Sequence, residues 1–266
     1  MWKFINTGYS PGALNMAYDE RLVRLVAASD LHGIVRVYGW DPPCISLGFH
    51  QDLRRVNVEK CREIGVDLVR RPTGGRAILH WDEVTYSVVR RVSGESLSEV
   101  YCSIGSALVN ALRRLHPEIA LARLGQQNLS LDRPTSNVPC YSGIARYEIQ
   151  YRGRKIVGSA QRRYSFPSEA GDLNVVVLQH GSILFGPSHL RIVEFLNTEN
   201  PDSILRMKTD LAERSIDLST ILGRSVTFEE VAECVKDGFE SEWGIEFSRG
   251  DSQKDFPIET PAPIAS

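Results

Sequence analysis

Apolar positions recur along the chain with two different periods, and each change of period outlines an element. Over residues 14–28, Leu14, Ala17, Leu22, Leu25 and Val26 fall near one helical face and Arg21 and Arg24 on the other, which predicts an amphipathic helix. Short β-type runs follow: Ile34-Val35-Arg36-Val37-Tyr38, Cys44-Ile45-Ser46-Leu47, Val66-Asp67-Leu68-Val69, Ala77-Ile78-Leu79 and Val84-Thr85-Tyr86-Ser87-Val88-Val89. Gly, Pro and Asp separate them. Helical spacing returns at Val100, Ile104, Leu108, Leu112 and Leu115, behind the capping-box pattern Ser96-Leu97-Ser98-Glu99. Residues 125–139 are polar, carry Pro134 and Pro139, and predict a loop. Strands are expected at 146–151, 155–158, 175–178 and 182–185, with a hairpin turn at Gly153-Arg154 joining the first two. Helical patterns close the chain at 190–196 and, behind a second capping box Thr227-Phe228-Glu229-Glu230, at 231–243. Runs of strands broken by a few helices, without βαβ alternation, predict an α+β domain around a mixed or antiparallel sheet. The polar, proline-bearing residues 249–266 read as a flexible tail.

Composition narrows the class. Hydrophobic residues make up 42% of the 266, enough for a sizeable core. No apolar run approaches the roughly 18 residues of a membrane span. The first residues turn polar at once and lack the apolar region of a secretory signal, so a cytoplasmic protein is expected, with no membrane partner. A net charge of −2 supplies no global basic field, which argues against nucleic acid. The cysteines, at 44, 61, 102, 140 and 234, form no CxxC pair and no Cys/His cluster, so neither a disulfide framework nor a metal site is expected. With no obvious exposed apolar repeat, a monomer is expected.

Four segments could carry chemistry. In Arg70-Arg71-Pro72-Thr73-Gly74-Gly75-Arg76-Ala77-Ile78-Leu79-His80, paired glycines between two strand-like runs allow close backbone approach to a ligand. The same pair also suits a purely structural hairpin turn, and the Lys-Ser/Thr of a P-loop is missing. In Gly153-Arg154-Lys155-Ile156-Val157-Gly158-Ser159-Ala160, Lys155 at a strand mouth beside small residues can donate to a carbonyl or phosphate oxygen, or can be a solvated hairpin lysine. His180, in Gln179-His180-Gly181-Ser182, stands before a predicted strand, where a satisfied structural histidine is equally consistent. Cys140 follows Pro139 at the end of a polar loop, where nucleophiles tend to sit, whereas the other cysteines lie in apolar strand or helical patterns. A cation such as Lys155 near it would raise its thiolate fraction.

Together these segments resemble the lipoate–protein ligase/octanoyltransferase superfamily, which shares its catalytic domain with the biotin–protein ligases. Asn15-Met16-Ala17-Tyr18-Asp19-Glu20 is similar to that family's opening helix, and Tyr38-Gly39-Trp40-Asp41-Pro42-Pro43-Cys44-Ile45-Ser46-Leu47-Gly48 to its early strand pair. Arg70–His80 resembles its RRxTGGRAxxH acyl-binding loop, Gly153–Ala160 its lysine-bearing GRKxxGSA segment, and His180-Gly181-Ser182-Ile183-Leu184 its HGSLL strand. Trp81 stands where the family carries an acidic residue. Cys140, fifteen residues before Lys155, is similar to the cysteine of the ligase-type octanoyltransferases.

The resemblance implies a biotin/lipoate ligase-type catalytic domain over residues 1–248, with a mixed, largely antiparallel sheet flanked by helices. It implies catalytic roles for Cys140 and Lys155, and substrate binding by Arg71, Thr73, Gly74, Gly75, Arg76, His80, Gly158, Ser159, His180 and Gly181. The implied reaction moves an octanoyl group from octanoyl-acyl carrier protein to a lysine of a lipoyl domain or glycine-cleavage H protein through a cysteine acyl-enzyme. It needs no cofactor, because the thioester is already activated. The residues after Ser182 are taken up by the terminal helix and tail, so no accessory domain is expected. Three alternatives stand beside this reading: an ATP- and Mg-dependent lipoate ligase whose accessory domain is a separate chain, a lipoyl/octanoyl amidotransferase, and a non-catalytic acyl-binding module.

Overall fold

The protein, described by a computed structural model over residues 1–122, 148–167, 172–198 and 201–249, is built on two sheets. The large sheet takes β1 (Trp2–Ser10), β2 (Gly33–Trp40), β6 (Glu83–Val92), β7 (Ala120–Leu121), β8 (Ile149–Tyr151), β9 (Arg154–Pro167), β10 (Leu173–Leu184) and β11 (Ser248–Arg249) in the order β11-β1-β2-β6-β10-β9-β8-β7. Its β11–β1 and β1–β2 pairs are parallel and the rest antiparallel, so the sheet is mixed and largely antiparallel. A small sheet places β3 (Cys44–Leu47) between β4 (Asp67–Arg70) and β5 (Ile78–His80).

Alternation along the central strands assigns the two faces. Val176 and Leu178 of β10 turn toward α1 (Gly12–Ala28), where they join Tyr18, Leu22 and Val26. Val177 and Ile183 turn the other way, into the core shared with α3 (Leu97–Arg113) and α6 (Phe228–Trp243). The predicted cap of α3 is present in both directions: Ser96 Oγ accepts from the Glu99 N–H, and the Glu99 carboxylate accepts from the Ser96 N–H. Val100, Ile104, Leu108 and Leu112 form its buried stripe. α6 starts where Thr227 Oγ1 accepts from the Glu230 N–H and ends at Gly244, whose φ of 61° breaks the helix. A third core lies between the small sheet, α2 (Val58–Ile64), a 3-10 segment at Pro187–Phe195 and α4 (Pro201–Arg214). A short α5 (Leu218–Leu222) leads on to α6. No helix among the described residues is long and apolar enough to cross a membrane.

Several expectations change. The segments at 175–178 and 182–185 are one strand, β10, so His180 sits within a strand rather than before one. The polar Gln179-His180-Gly181 interrupts the apolar pattern, yet the sheet buries it because each polar side chain finds an internal partner. β9 runs well beyond 158, to Pro167. Residues 71–77 are not a hairpin turn: β4 and β5 do not pair with each other, and the glycine loop crosses β3, which lies between them. The expected helix at 190–196 is a 3-10 segment. Beyond the expected elements, the structure adds β1, α2, α4 and α5. The tail at 250–266 lies outside the described residues, and Arg249 pairs with Phe4 as part of β11.

The 3-10 segment holds a titrating group. His189 is buried, its Nε2 lies 2.8 Å from Ser215 Oγ, and burial pulls its pKa down to about 4. Because the folded value lies below that of the unfolded chain, this contribution to stability is complete above about pH 6.5 and is lost as pH falls toward 4, an effect of roughly 3 kcal/mol. Denaturant unfolding between pH 7 and pH 4 is expected to show that decline, and His189→Gln to flatten it. An unchanged slope in the variant would place the acid sensitivity elsewhere.

Candidate functional site

The crossing of the glycine loop over the large sheet leaves a pocket between the two sheets, about 420 Å³ with the open space at its surface included. Its floor crosses four strands, from Tyr38 and Trp40 on β2, through Thr85 on β6 and His180–Ser182 on β10, to Gly158, Ser159 and Ala160 on β9. Its roof is Ser46, Arg71, Gly75, Ile78 and His80, and Met16 of α1 stands at the β2 end. At that end Met16, Tyr38 and Trp40 are buried, whereas Gly75 is exposed and Ser159 and Ala160 are half-buried. The pocket therefore opens at β9 and closes at β2.

The roof keeps its shape through local geometry. Gly75 has φ 99°, a conformation that favours glycine. A Cβ on Gly48 would lie 2.0 Å from the Gly75 carbonyl oxygen, so the loop can close only over a glycine. Arg71, 3% exposed, ties the loop from inside: its guanidinium donates to the carbonyls of Ser46, Gly74 and Arg76 and to Ser46 Oγ. The Thr73 carbonyl accepts from the Phe49 N–H.

Two buried chains of carboxylate, imidazole and hydroxyl stand behind the walls. In the first, His180 Nδ1 lies 3.0 Å from Asp19 Oδ2 and its Nε2 2.6 Å from Thr73 Oγ1. Burial opposes the charge of Asp19, but His180, Arg36 and Ser87 outweigh it and hold the carboxyl below its usual range. Burial pulls His180 down, against the opposing pull of Asp19, so the neutral ring is favoured. An ionised Asp19 can only accept, so Nδ1–H donates to it, which leaves Nε2 to accept from the Thr73 hydroxyl. In the second chain, His80 Nδ1 lies 2.9 Å from Glu83 Oε1 and its Nε2 2.7 Å from Ser46 Oγ, with the ring stacked on Trp40. The net result is apolar: polar atoms of the wall spend their hydrogen bonds on one another, and the pocket surface suits an aliphatic chain.

Asp19 is itself over-determined. Arg36, 1% exposed and lying between the rings of Tyr18 and Tyr38, donates to it at 2.9 Å, and the Tyr38 and Ser87 hydroxyls donate as well. Removing that charge by Asp19→Asn strands the buried Arg36 guanidinium and frees His180 to change tautomer. The expected cost is about 3 kcal/mol in urea unfolding. A stability within ~0.5 kcal/mol of the parent would show that the pair is dispensable.

Lys155 is not one of the residues that line the pocket, but it lies on β9, as Gly158, Ser159 and Ala160 do. The β8–β9 register shifts where Ile149 faces Val157 and Gln150 faces Lys155, and Ile156 and Val157 both pack into the α3–α6 core. The extra residue turns Lys155 to the opposite face, the one shared by Gly158 and Ala160. It is three residues, ~10 Å, along the strand from Gly158. Its Nζ donates to Glu148 Oε1 at 2.5 Å, and both side chains are more than nine-tenths buried.

Of the residues expected from sequence, Arg71, Gly75, His80, Gly158, Ser159, His180 and Gly181 line one pocket. Thr73, Gly74 and Arg76 belong to the loop above it, and Lys155 lies three residues before Gly158 on β9. Cys140 lies outside the described residues. Burial raises the pKa of Cys44, Cys61 and Cys234, which disfavours their thiolates. Sequence reasoning missed Asp19, Arg36, Glu83 and Glu148. A signal existed for the first two: Asn15 and Asp19, spaced i and i+4, face the same side of α1 as Leu22, and Arg36 interrupts an otherwise apolar strand.

The family model of the lipoyl protein ligase A/B catalytic domain matches residues 11–240. Octanoyltransferase LipM of Geobacillus kaustophilus is 34% identical over 247 residues, covering 90% of this chain and 85% of that protein. Octanoyltransferase LipM of Bacillus subtilis is 32% identical over 249 residues, with 90% and 85% covered. The fold is that of a bi-partite lipoate protein ligase from Thermoplasma acidophilum, at TM-score 0.73 and 22% identity over 95% of this chain and 87% of that one. Lipoate-protein ligase A bound with ATP gives 0.69 at 23%, over 94% and 88%. With the matched model spanning most of its length, the chain belongs to the lipoyl protein ligase A/B catalytic domain family.

Proposed function

We propose that the protein is an octanoyltransferase of lipoate biosynthesis that works through a Cys140 acyl-enzyme. The octanoyltransferase activity agrees with relatives of that name, 31–34% identical over most of the chain. The donor is octanoyl-acyl carrier protein, and the acceptor is a lysine of a lipoyl domain or glycine-cleavage H protein.

The observation that carries this reading is an apolar pocket that reaches Gly158, Ser159 and Ala160 on β9, the strand that also bears the buried Lys155. The octanoyl tail occupies the pocket and leaves the thioester carbonyl at the β9 end. The Cys140 thiolate attacks that carbon, and the tetrahedral intermediate expels the carrier thiolate, which takes up a proton. The acyl group is then a cysteine thioester. The amine of the acceptor lysine attacks it, an amide forms, and the Cys140 thiolate is regenerated. Lys155, as the ammonium paired with Glu148, donates to the oxyanion in both halves, and the proton that the incoming amine loses passes to solvent. The thioester brings its own activation, so neither ATP nor a metal takes part.

The test is the intact mass of the protein after brief incubation with octanoyl-acyl carrier protein in the absence of ATP. A single octanoyl adduct, released by hydroxylamine, is expected. If no adduct forms without ATP, yet free lipoate with ATP modifies the acceptor, the protein is a ligase.

A further inference from the structure

We infer that Met16 is the residue that sets the acyl chain length, by forming the adjustable part of the pocket's blind end. This rests on the reading of the pocket as the acyl site.

Three side chains close the β2 end, and two of them are fixed by hydrogen bonds. Trp40 Nε1–H is shared between Glu83 Oε1 at 3.0 Å and Thr85 Oγ1 at 2.8 Å, and its ring stacks on His80 with centroids 4.1 Å apart. The Tyr38 hydroxyl donates to Asp19 at 3.0 Å. Met16 has no such anchor, because a thioether carries no donor. It is an unbranched chain held by packing alone, with Tyr38, Trp40, Cys44 and Val69.

Distance supports the assignment. From β2 to β9 the floor crosses three strand spacings, about 14 Å. An extended eight-carbon acyl group, roughly 9 Å from methyl to carbonyl carbon, placed in van der Waals contact at about 4 Å from Met16 brings its carbonyl to the β9 end, near Gly158. A longer chain would push that carbonyl outward, past the groups that are to act on it. A shorter one would leave the end empty, or draw the carbonyl into the pocket.

The space behind Met16 is closed. One turn earlier on α1, a Cβ on Gly12 would lie 2.7 Å from Cys44 Sγ and 2.8 Å from Val69 Cγ1, so the helix already rests on the layer below. Shortening Met16 to alanine removes three heavy atoms and opens no further cavity. The gain is room for about two methylenes at ordinary packing density. Decanoyl should therefore be admitted and dodecanoyl still refused.

The experiment measures binding and transfer for hexanoyl-, octanoyl-, decanoyl- and dodecanoyl-pantetheine, with the parent protein, Met16→Ala and Met16→Phe. Binding is read by calorimetry and transfer as kcat/KM. In Met16→Ala the decanoyl-to-octanoyl ratio is expected to rise at least tenfold in both measures, while dodecanoyl stays poor. In Met16→Phe the hexanoyl-to-octanoyl ratio should rise instead. Ratios within one preparation are insensitive to the fraction of protein folded, and Met16→Phe decides the matter if the alanine variant does not fold. Unchanged ratios in the folded variants would overturn the assignment, as would acceptance of all lengths by Met16→Ala. A parent protein that binds the acyl-pantetheines with the expected length preference but transfers none would refute the transferase reading and leave Met16's role standing.

Discussion

Replacing Cys140 with alanine is expected to lower octanoyl transfer by roughly 10⁴-fold or more, the scale seen when a covalent nucleophile is removed. The reason is chemical. Without the thiolate, the two bulky protein substrates would have to meet at one carbonyl at the same moment, whereas an acyl-enzyme lets them bind in turn. Cys140→Ala should show no hydroxylamine-labile adduct after incubation with octanoyl-acyl carrier protein, and ping-pong kinetics should disappear with it. Octanoyl-pantetheine should still bind, since no cysteine is among the described residues that line the pocket between β2 and β9. Near-normal turnover in Cys140→Ala would end the proposal. None of Cys44, Cys61 and Cys234 is a ready substitute, because burial raises each thiol's pKa and disfavours the thiolate.

Lys155→Ala should cost both rate and stability, and the two losses can be separated. Losing an oxyanion donor is worth about 10²- to 10³-fold in kcat, and adduct formation should slow along with overall transfer. The same change leaves Glu148, 5% exposed, without the ammonium that lies 2.5 Å from it. Breaking one side of a buried ion pair costs about 3–5 kcal/mol. Glu148→Gln combined with Lys155→Met removes both charges and should recover much of the unfolding midpoint while leaving the rate low. If the double variant regained activity together with stability, Lys155 would be a structural lysine and the chemistry would belong to another group. Normal adduct formation in Lys155→Ala would likewise contradict the oxyanion role.

The pocket surface is apolar although histidines, an arginine and serines line it. Each imidazole is bonded on one side to a carboxylate and on the other to a hydroxyl, and Arg71 spends its guanidinium on loop carbonyls and Ser46. Burial of polar groups is tolerable because they are satisfied. Their effect on the site is positional: they hold the glycine loop at a fixed height above the sheet.

Local sequence determined much of this protein. The capped helices α3 and α6, the amphipathic α1 and most central strands follow from periods of about 3.6 and 2 residues and from cap residues adjacent in the chain. The Thr73-Gly74-Gly75-Arg76, Gly158-Ser159 and His180-Gly181 segments stood out in the sequence as candidates through the family motifs that they resemble. Only the tertiary structure decided that they meet, since the glycine loop joins β10 through Thr73 and His180, 107 positions apart. The same holds for the groups that support them. Asp19 reaches His180 across 161 positions, and Glu83 acts on a histidine read only as a motif member. β10 escaped recognition as one strand because its polar centre is paid for by partners elsewhere in the chain. A one-residue bulge, invisible to any periodicity, turns Lys155 to the face that Gly158 and Ala160 share. What depends on neighbours within a turn or a strand was written in the sequence, and what depends on long-range partners and register emerged only when the sheet was assembled.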